Sequence, residues 1–189
     1  MPKWIDARIV NKIQWTLHLW SLQFEADIAD FSAGQFVTLA MDIDEERVAR
    51  PYSLVNAPHE RPLEVYFNVV PEGPLSRRLA ALEAGDRLWV KDSASGVMTL
   101  NEVPETNTDL WLLSTGTALG PFLSILKTEQ PWQRFDNIIL VHGVRRAEEL
   151  TYRAQIDQLQ RQAAPGQFQV VSCVSRERAP DAMQGRITD

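Results

Sequence analysis

Four consecutive residues, Arg50-Pro51-Tyr52-Ser53, place a cation, an aromatic ring and a hydroxyl side by side between two extended apolar stretches. In a strand, alternate side chains share a face, and at about 3.3 Å rise per residue Arg50 and Tyr52 stand roughly 7 Å apart on one side. That spacing suits a ligand with an anionic group at one end and a flat ring at the other, such as a flavin nucleotide. The arginine offers a planar fork of donors to a phosphate. The tyrosine offers a stacking face, and Ser53 can hydrogen-bond a ring heteroatom. The same residues also suit an ordinary strand with a surface arginine and a packed tyrosine.

Two further segments bear on the choice. Gly73-Pro74-Leu75-Ser76-Arg77-Arg78-Leu79 reads as a glycine turn opening a helix, with Ser76 as N-cap and Leu75, Leu79 and Leu82 on one face. Free N–H groups at a helix start attract phosphate, and two arginines add charge; a capped amphipathic helix with solvated arginines gives the same pattern. Leu110-Trp111-Leu112-Leu113 is a continuous apolar run, as expected of a strand buried on both faces. It leads into Ser114-Thr115-Gly116-Thr117-Ala118-Leu119-Gly120-Pro121, where small residues allow close backbone approach and a helix is expected to begin near Pro121. Strand, glycine-rich turn and helix form the general nucleotide-binding unit, without the spacing of a dinucleotide fingerprint or a phosphate loop.

In this order and spacing the three segments resemble the ferredoxin–NADP reductase family, and its bacterial members above all. Phe31-Ser32-Ala33-Gly34-Gln35-Phe36 and Glu64-Val65-Tyr66-Phe67-Asn68-Val69-Val70 extend the likeness, followed by Val141-His142-Gly143-Val144-Arg145, Val174-Ser175-Arg176-Glu177 and Gly185-Arg186-Ile187. The resemblance spans essentially the whole chain. It implies FAD and NADP(H) as cofactors and ferredoxin or flavodoxin as the electron partner. It also implies a continuation of several tens of residues, with a Cys-Gly-x-Pro-type motif and a terminal aromatic. Neither occurs before Asp189, so the expectation is a C-terminally truncated member.

The resemblance assigns roles residue by residue. Arg50, Pro51, Tyr52 and Ser53 would bind FAD, Arg50 at the pyrophosphate, Tyr52 on the ring system and Ser53 near the hydride-accepting nitrogen. Ser53 and Tyr52 are thus the catalytic candidates. Tyr66, Phe67 and Asn68 match a second FAD strand, although Tyr66 and Phe67 equally suit core aromatics. Pro74, Leu75 and Ser76 match the pyrophosphate-binding helix start, and Thr117 a residue reaching the flavin. Val144, Arg145, Ser175, Arg176 and Arg186 match the NADP site. The first four follow two parallel strands, where ligands of open α/β sheets bind, and arginines arriving by separate strands suit a 2′-phosphate.

The elements that must position these residues divide the chain. From Trp4 to Val90 the pattern is short strands with one short helix near Ser76, an antiparallel β-barrel. Asn101 to Thr108 reads as a connection. Beyond it, strands at 110–113, 138–141 and 168–174 alternate with helices at 121–129 and 147–162, a parallel α/β arrangement left incomplete at the C-terminus. The expected domains are an FAD-binding barrel over 1–100 and an NADP-binding α/β domain over 101–189.

Bulk properties narrow the field. With 44% hydrophobic residues among 189 a real core can form. A net charge of −6 argues against general nucleic-acid binding. The single cysteine, Cys173, excludes an internal disulfide and a multi-cysteine zinc or iron–sulfur site. His18, His59 and His142 form no metal-ligand pattern. No run is long enough to span a membrane and no signal peptide is evident, so a cytoplasmic monomer is expected. Alternatives from the sequence are the reductase component of an oxygenase, or a flavin-binding fragment that does not turn over.

Overall fold

The computed structural model describes residues 2–189. Six antiparallel strands come first: β1 (Trp4–Gln14), β2 (Leu19–Glu25), β3 (Phe36–Ile43), β4 (Glu46–Ser53), β5 (Leu63–Asn68) and β6 (Arg87–Lys91). They form one sheet in the order β4-β3-β6-β1-β2-β5. Its outer strands curl towards each other and meet just past β4, where Leu54 bridges Val65 and the Val55 N–H donates to the Glu64 carbonyl at 2.9 Å. A bulge between Ile9 and Asn11 of β1 supplies part of that curl. The tight β3–β4 hairpin turns on Asp44 and Glu45, both at positive φ, matching the right-handed twist of the strands it joins.

Inward-facing Leu22, Phe24, Val37, Leu39, Leu63, Val65 and Val90 fill the barrel. Helix α1 (Pro74–Ala81) plugs it with Leu75 and Leu79. β5 is buried from Leu63 to Phe67 because both of its faces are covered. Val65 and Phe67 point into the barrel, whereas Tyr66 joins a second core across the seam.

That second core belongs to a parallel sheet, order β10-β9-β8-β7. Its elements are β7 (Asp109–Thr115), α2 (Leu119–Leu126), α3 (Gln130–Arg134), β8 (Asn137–Val144), α4 (Arg153–Gln162), β9 (Phe168–Val174) and β10 (Met183–Gln184), with 3-10 turns at Gly116–Ala118 and Ala147–Glu149. Parallel crossovers are right-handed, and β7, β8 and β9 advance in one direction. Helices α2 and α4 therefore pack on the same face, over Leu110, Leu112, Ile138 and Leu140.

Four sequence expectations change. The run 110–113 is buried on one face only: Leu112 is 3% exposed, but Trp111 is 61% and Leu113 52% exposed on the face without helices. A fourth strand exists, the two-residue β10, paired in parallel with β9. The helix expected at 121–129 starts at Leu119, ends at Leu126 and is followed by α3. The helix expected at 147–162 is interrupted at Tyr152, whose φ of 57° breaks the helical path before α4. Among the described residues no helix is long and apolar enough to cross a membrane.

Candidate functional site

A cleft of about 830 Å³ opens along the seam of the two sheets. The barrel contributes His18, from the β1–β2 connection, and Asn68 and Val69 from the end of β5. The parallel sheet contributes the carboxyl ends of its strands: Thr115 to Thr117 after β7, Gly143 to Arg145 after β8, Ser175 and Arg176 after β9, and Arg186 to Thr188 beyond β10. Ligands of open α/β sheets bind at such strand ends. The structure thus brings Val144, Arg145, Ser175, Arg176 and Arg186 together with Thr117 and Asn68, residues far apart in sequence.

Backbone hydrogen bonds hold this rim beyond the formal strand ends. The Ser175 N–H donates to the Val144 carbonyl at 3.1 Å and the Arg176 N–H to the Arg145 carbonyl at 2.9 Å. Gly185 N–H donates back to Val174 at 3.0 Å, which carries the chain round to Arg186. Arg145, Arg176 and Arg186 form no ion pair among the described residues. Three guanidinium groups therefore face one cleft with their charge free for an anion.

One acid shares the cleft, and the sequence reading missed it. Glu149 Oε2 accepts the backbone N–H groups of Arg145 at 2.8 Å and Arg146 at 3.1 Å. Its carboxylate is spent on fixing the end of β8. The signal was available: a glutamate three residues after the start of a turn is the spacing of a reciprocal cap.

Two glycines shape the cleft for different reasons. Gly116 sits at φ +53° with open space around it, so conformation and not room favours glycine there. At Gly143 the constraint is room, since a Cβ would overlap Ile187 Cγ2.

The remaining candidates lie along β4, β5 and α1 and do not line this cleft. Arg50 is exposed, without a carboxylate partner among the described residues, its Nη1 donating to the Ala49 carbonyl at 2.6 Å. Pro51 beside it is exposed. Tyr52 is half-buried, its ring edge-on to Phe67 at 5.8 Å between centroids. Burial pushes its phenol up to about 12, opposed by the positive charge of Arg50. Ser53 ends the strand opposite Phe36 and is half-buried.

Tyr66 and Phe67 are both core residues, 4% and 3% exposed on opposite faces of β5. Burial raises the Tyr66 phenol to about 12, and its Oη accepts a hydrogen bond from Thr151 Oγ1 at 2.9 Å. Neither Tyr52 nor Tyr66 acts as a base at neutral pH.

The start of α1 departs from expectation. Gly73 occupies the N-cap, Pro74 begins the first turn and Leu75 is buried beneath it. Ser76 is inside the helix, 7% exposed, its Oγ accepting the Val70 N–H at 3.0 Å. Ser76 therefore ties the preceding loop to the helix and does not cap it. No side chain caps the first turn and no acid lies in it, so its N–H groups stay available to an anion.

The comparisons with known proteins agree on both halves of this arrangement. Residues 9–98 match the family model described as oxidoreductase FAD-binding domain, and residues 112–189 that described as oxidoreductase NAD-binding domain. Over 187 residues the chain is 43% identical to the flavodoxin/ferredoxin–NADP reductase of Escherichia coli, covering 99% of this chain and 75% of that protein. It is 39% identical to the protein of the same name from Buchnera aphidicola, over 99% of this chain and 76% of the relative. Among solved structures, a ferredoxin NADP+ reductase from Neisseria gonorrhoeae with bound FAD and NADP superposes with a TM-score of 0.90 at 28% identity, covering 98% of this chain and 74% of that one.

Proposed function

The chain belongs to the flavodoxin/ferredoxin–NADP reductase family, and from that premise we propose how its own residues divide the work. It is an FAD-dependent oxidoreductase that exchanges electrons between NADPH and a ferredoxin or flavodoxin. The observation that carries the division is the convergence of Arg145, Arg176 and Arg186, none of them ion-paired among the described residues, on a cleft that Asn68 of the barrel also lines.

The residues present fit both cofactors. On the barrel, Arg50 and the uncapped first turn of α1 supply donors for a pyrophosphate, and the half-buried face of Tyr52 supplies a platform for a ring. In the cleft, the three arginines supply the fork-shaped donors that a 2′-phosphate takes, with the Ser175 hydroxyl beside them, and an NAD-type ribose site would set an acid there instead. The one acid present, Glu149, is turned to backbone N–H groups.

When bound, the flavin supplies the chemistry, accepting a hydride and releasing single electrons. The protein's part is placement. Gly116 lets the turn after β7 adopt its left-handed backbone, which presents Thr117 at the seam. Ser53 and Tyr52 remain neutral donors and orient a ring without taking its proton. Hydride transfer depends on holding donor and acceptor in near-attack geometry, and no acid–base residue is assigned. The working units are 1–100 for FAD and 101–189 for NADP, in a monomeric protein of the cytoplasm.

The test is direct. Purified chain incubated with FAD is expected to retain it through gel filtration, with the absorption bands of a protein-bound flavin, and to bleach on anaerobic addition of NADPH. Protein that stays colourless after incubation would sink the reading.

A further inference from the structure

A single file of polar groups crosses the seam between barrel and parallel sheet. At its centre is Tyr152, 3% exposed, with φ 57° and ψ 20°. A bulky residue keeps this left-handed backbone only when its surroundings hold it there. Its side chain leaves the parallel half and enters the outer surface of the barrel between β2 and β5. The ring rests between Trp15, at 4.5 Å between centroids, and Tyr66, at 5.2 Å and 80°.

The hydroxyl meets two buried barrel side chains. Tyr152 Oη donates to Glu64 Oε1 at 2.5 Å and lies 2.5 Å from Ser21 Oγ. Trp15 Nε1 donates to Ser21 Oγ at 2.8 Å, and Gln23 Nε2 donates to Glu64 Oε2 at 2.9 Å. Donor capacity fixes the direction of the file. The indole N–H can only donate, and the single hydroxyl hydrogen of Tyr152 is directed at Glu64. Ser21 therefore donates its own hydrogen bond to the Tyr152 oxygen. Glu64 has no Lys or Arg partner among the described residues, so these neutral donors are what satisfies a buried acid.

The file connects to the cleft through a short strap. Glu149, whose carboxylate fixes the end of β8 by the N–H groups of Arg145 and Arg146, lies three residues before Tyr152. Thr151, between them, donates to Tyr66 at 2.9 Å. Residues 145–152 thus run from an arginine of the cleft to an anchor inside the barrel wall.

We propose that Tyr152 is a positioning residue, a latch whose hydroxyl sets the parallel sheet against the barrel and thereby sets the arginine-lined strand ends against the flavin side. The inference rests on the function proposed above. It assigns the effect to the transfer step, since neither Tyr152 nor Glu64 lies among the residues proposed to hold FAD or NADP.

The test uses Tyr152→Phe, which keeps both ring contacts and removes only the hydroxyl, and Glu64→Gln, which keeps an acceptor for it. Hydrogen exchange on the cofactor-free chain reads the latch itself. Tyr152→Phe is expected to raise exchange at 19–23 and 150–153 while leaving β3 and β6 unchanged. With FAD bound, flavin reduction by NADPH in stopped flow is expected to fall tenfold or more. FAD affinity, NADP+ affinity and reduction by dithionite should stay within twofold, and Glu64→Gln within threefold of the parent throughout. Reduction by NADPH within twofold of the parent overturns the proposal, as does a loss matched in FAD affinity. A parent chain that takes up no FAD overturns the function instead, and exchange then decides the latch, unchanged seam protection overturning it. If Tyr152→Phe does not fold, Ser21→Ala breaks the same file one bond earlier and is read by the same criteria.

Discussion

The backbone N–H of Arg176 donates to the carbonyl of Arg145 at 2.9 Å, so two guanidinium groups leave the ends of β8 and β9 from a shared hydrogen bond. Arg186 reaches the same cleft by a third route, beyond β10. A doubly charged phosphate between them can be gripped from more than one direction at once.

The first expectation concerns nucleotide choice. A hydrogen bond to a charged group contributes roughly 1.5–3 kcal/mol, so losing one is about a tenfold effect or more. Arg176→Ala should lower kcat/KM for NADPH by that factor and leave NADH nearly unchanged. The Arg176→Ala, Arg186→Ala double variant should lose most of the preference. Equal efficiency with the two nucleotides in the parent chain would contradict this.

The second concerns the flavin. Arg50 has no acidic partner among the described residues and its side chain is held only by the Ala49 carbonyl. Arg50→Ala should weaken FAD binding at least tenfold without lowering the melting temperature of the apoprotein. Arg50→Lys should restore only part, because a point charge does not reproduce a planar fork. Fluorescence titration of released flavin measures both.

The third concerns acid. His142 is 2% exposed, its Nε2 is without a partner among the described residues, and it lies on the helix-covered face of β8. Burial lowers its pKa to about 4; Arg153 pushes the same way, while Gly116 and Glu149 oppose. The unfolded chain takes up this proton near pH 6.5 and the folded chain only near 4. The contribution to stability is therefore complete above about pH 6.5 and is lost as the pH falls towards 4, a loss of about 3 kcal/mol in all. Urea midpoints from pH 7 to 4.5 should fall less steeply in His142→Leu than in the parent. Identical slopes would show that His142 does not set them.

The fourth contrasts neighbours on β7. Leu112→Ala should cost about 2–5 kcal/mol, the range for emptying a packed leucine site. Trp111→Lys, one residue away on the face without helices, should stay within about 0.5 kcal/mol and reduce self-association at high concentration. Chemical denaturation and light scattering separate the two effects.

These neighbours also mark where the sequence was legible. An unbroken apolar run announces a strand but not how many of its faces are covered. That depends on which side the crossover helices take, and handedness together with strand order decides it only once the sheet is assembled. The cleft was readable because strand ends and arginines coincide locally, at Val144-Arg145 and Ser175-Arg176. Ser76 was misplaced by three positions because Gly73 and Pro74 compete for the same helix start, and the hydroxyl is drawn inward by the Val70 N–H. Tyr152 was invisible for a deeper reason. Its partners Ser21 and Glu64 lie 131 and 88 residues away in the chain, and no local pattern records a contact of that reach.

Strand order in the barrel also has a temporal meaning. β1 is flanked by β2, its neighbour in sequence, and by β6, where Trp4 faces Lys91. Apart from the Leu54–Val65 bridge just past β4, β6 carries the pairing that joins the β3–β4 hairpin to the rest of the sheet among the described residues, at Leu39 with Val90 and Ala40 with Trp89. It is the keystone of the arch and is made last. During synthesis the first five strands wait with Ile9, Phe24 and Val37 unsheltered until Leu88 and Val90 emerge to close over them. The parallel sheet, whose strands β7, β8 and β9 each pair with the next one made, assembles as it is produced. The nascent chain thus carries its largest unpaired apolar surface before residue 91, ahead of the parallel sheet that lines the arginine cleft.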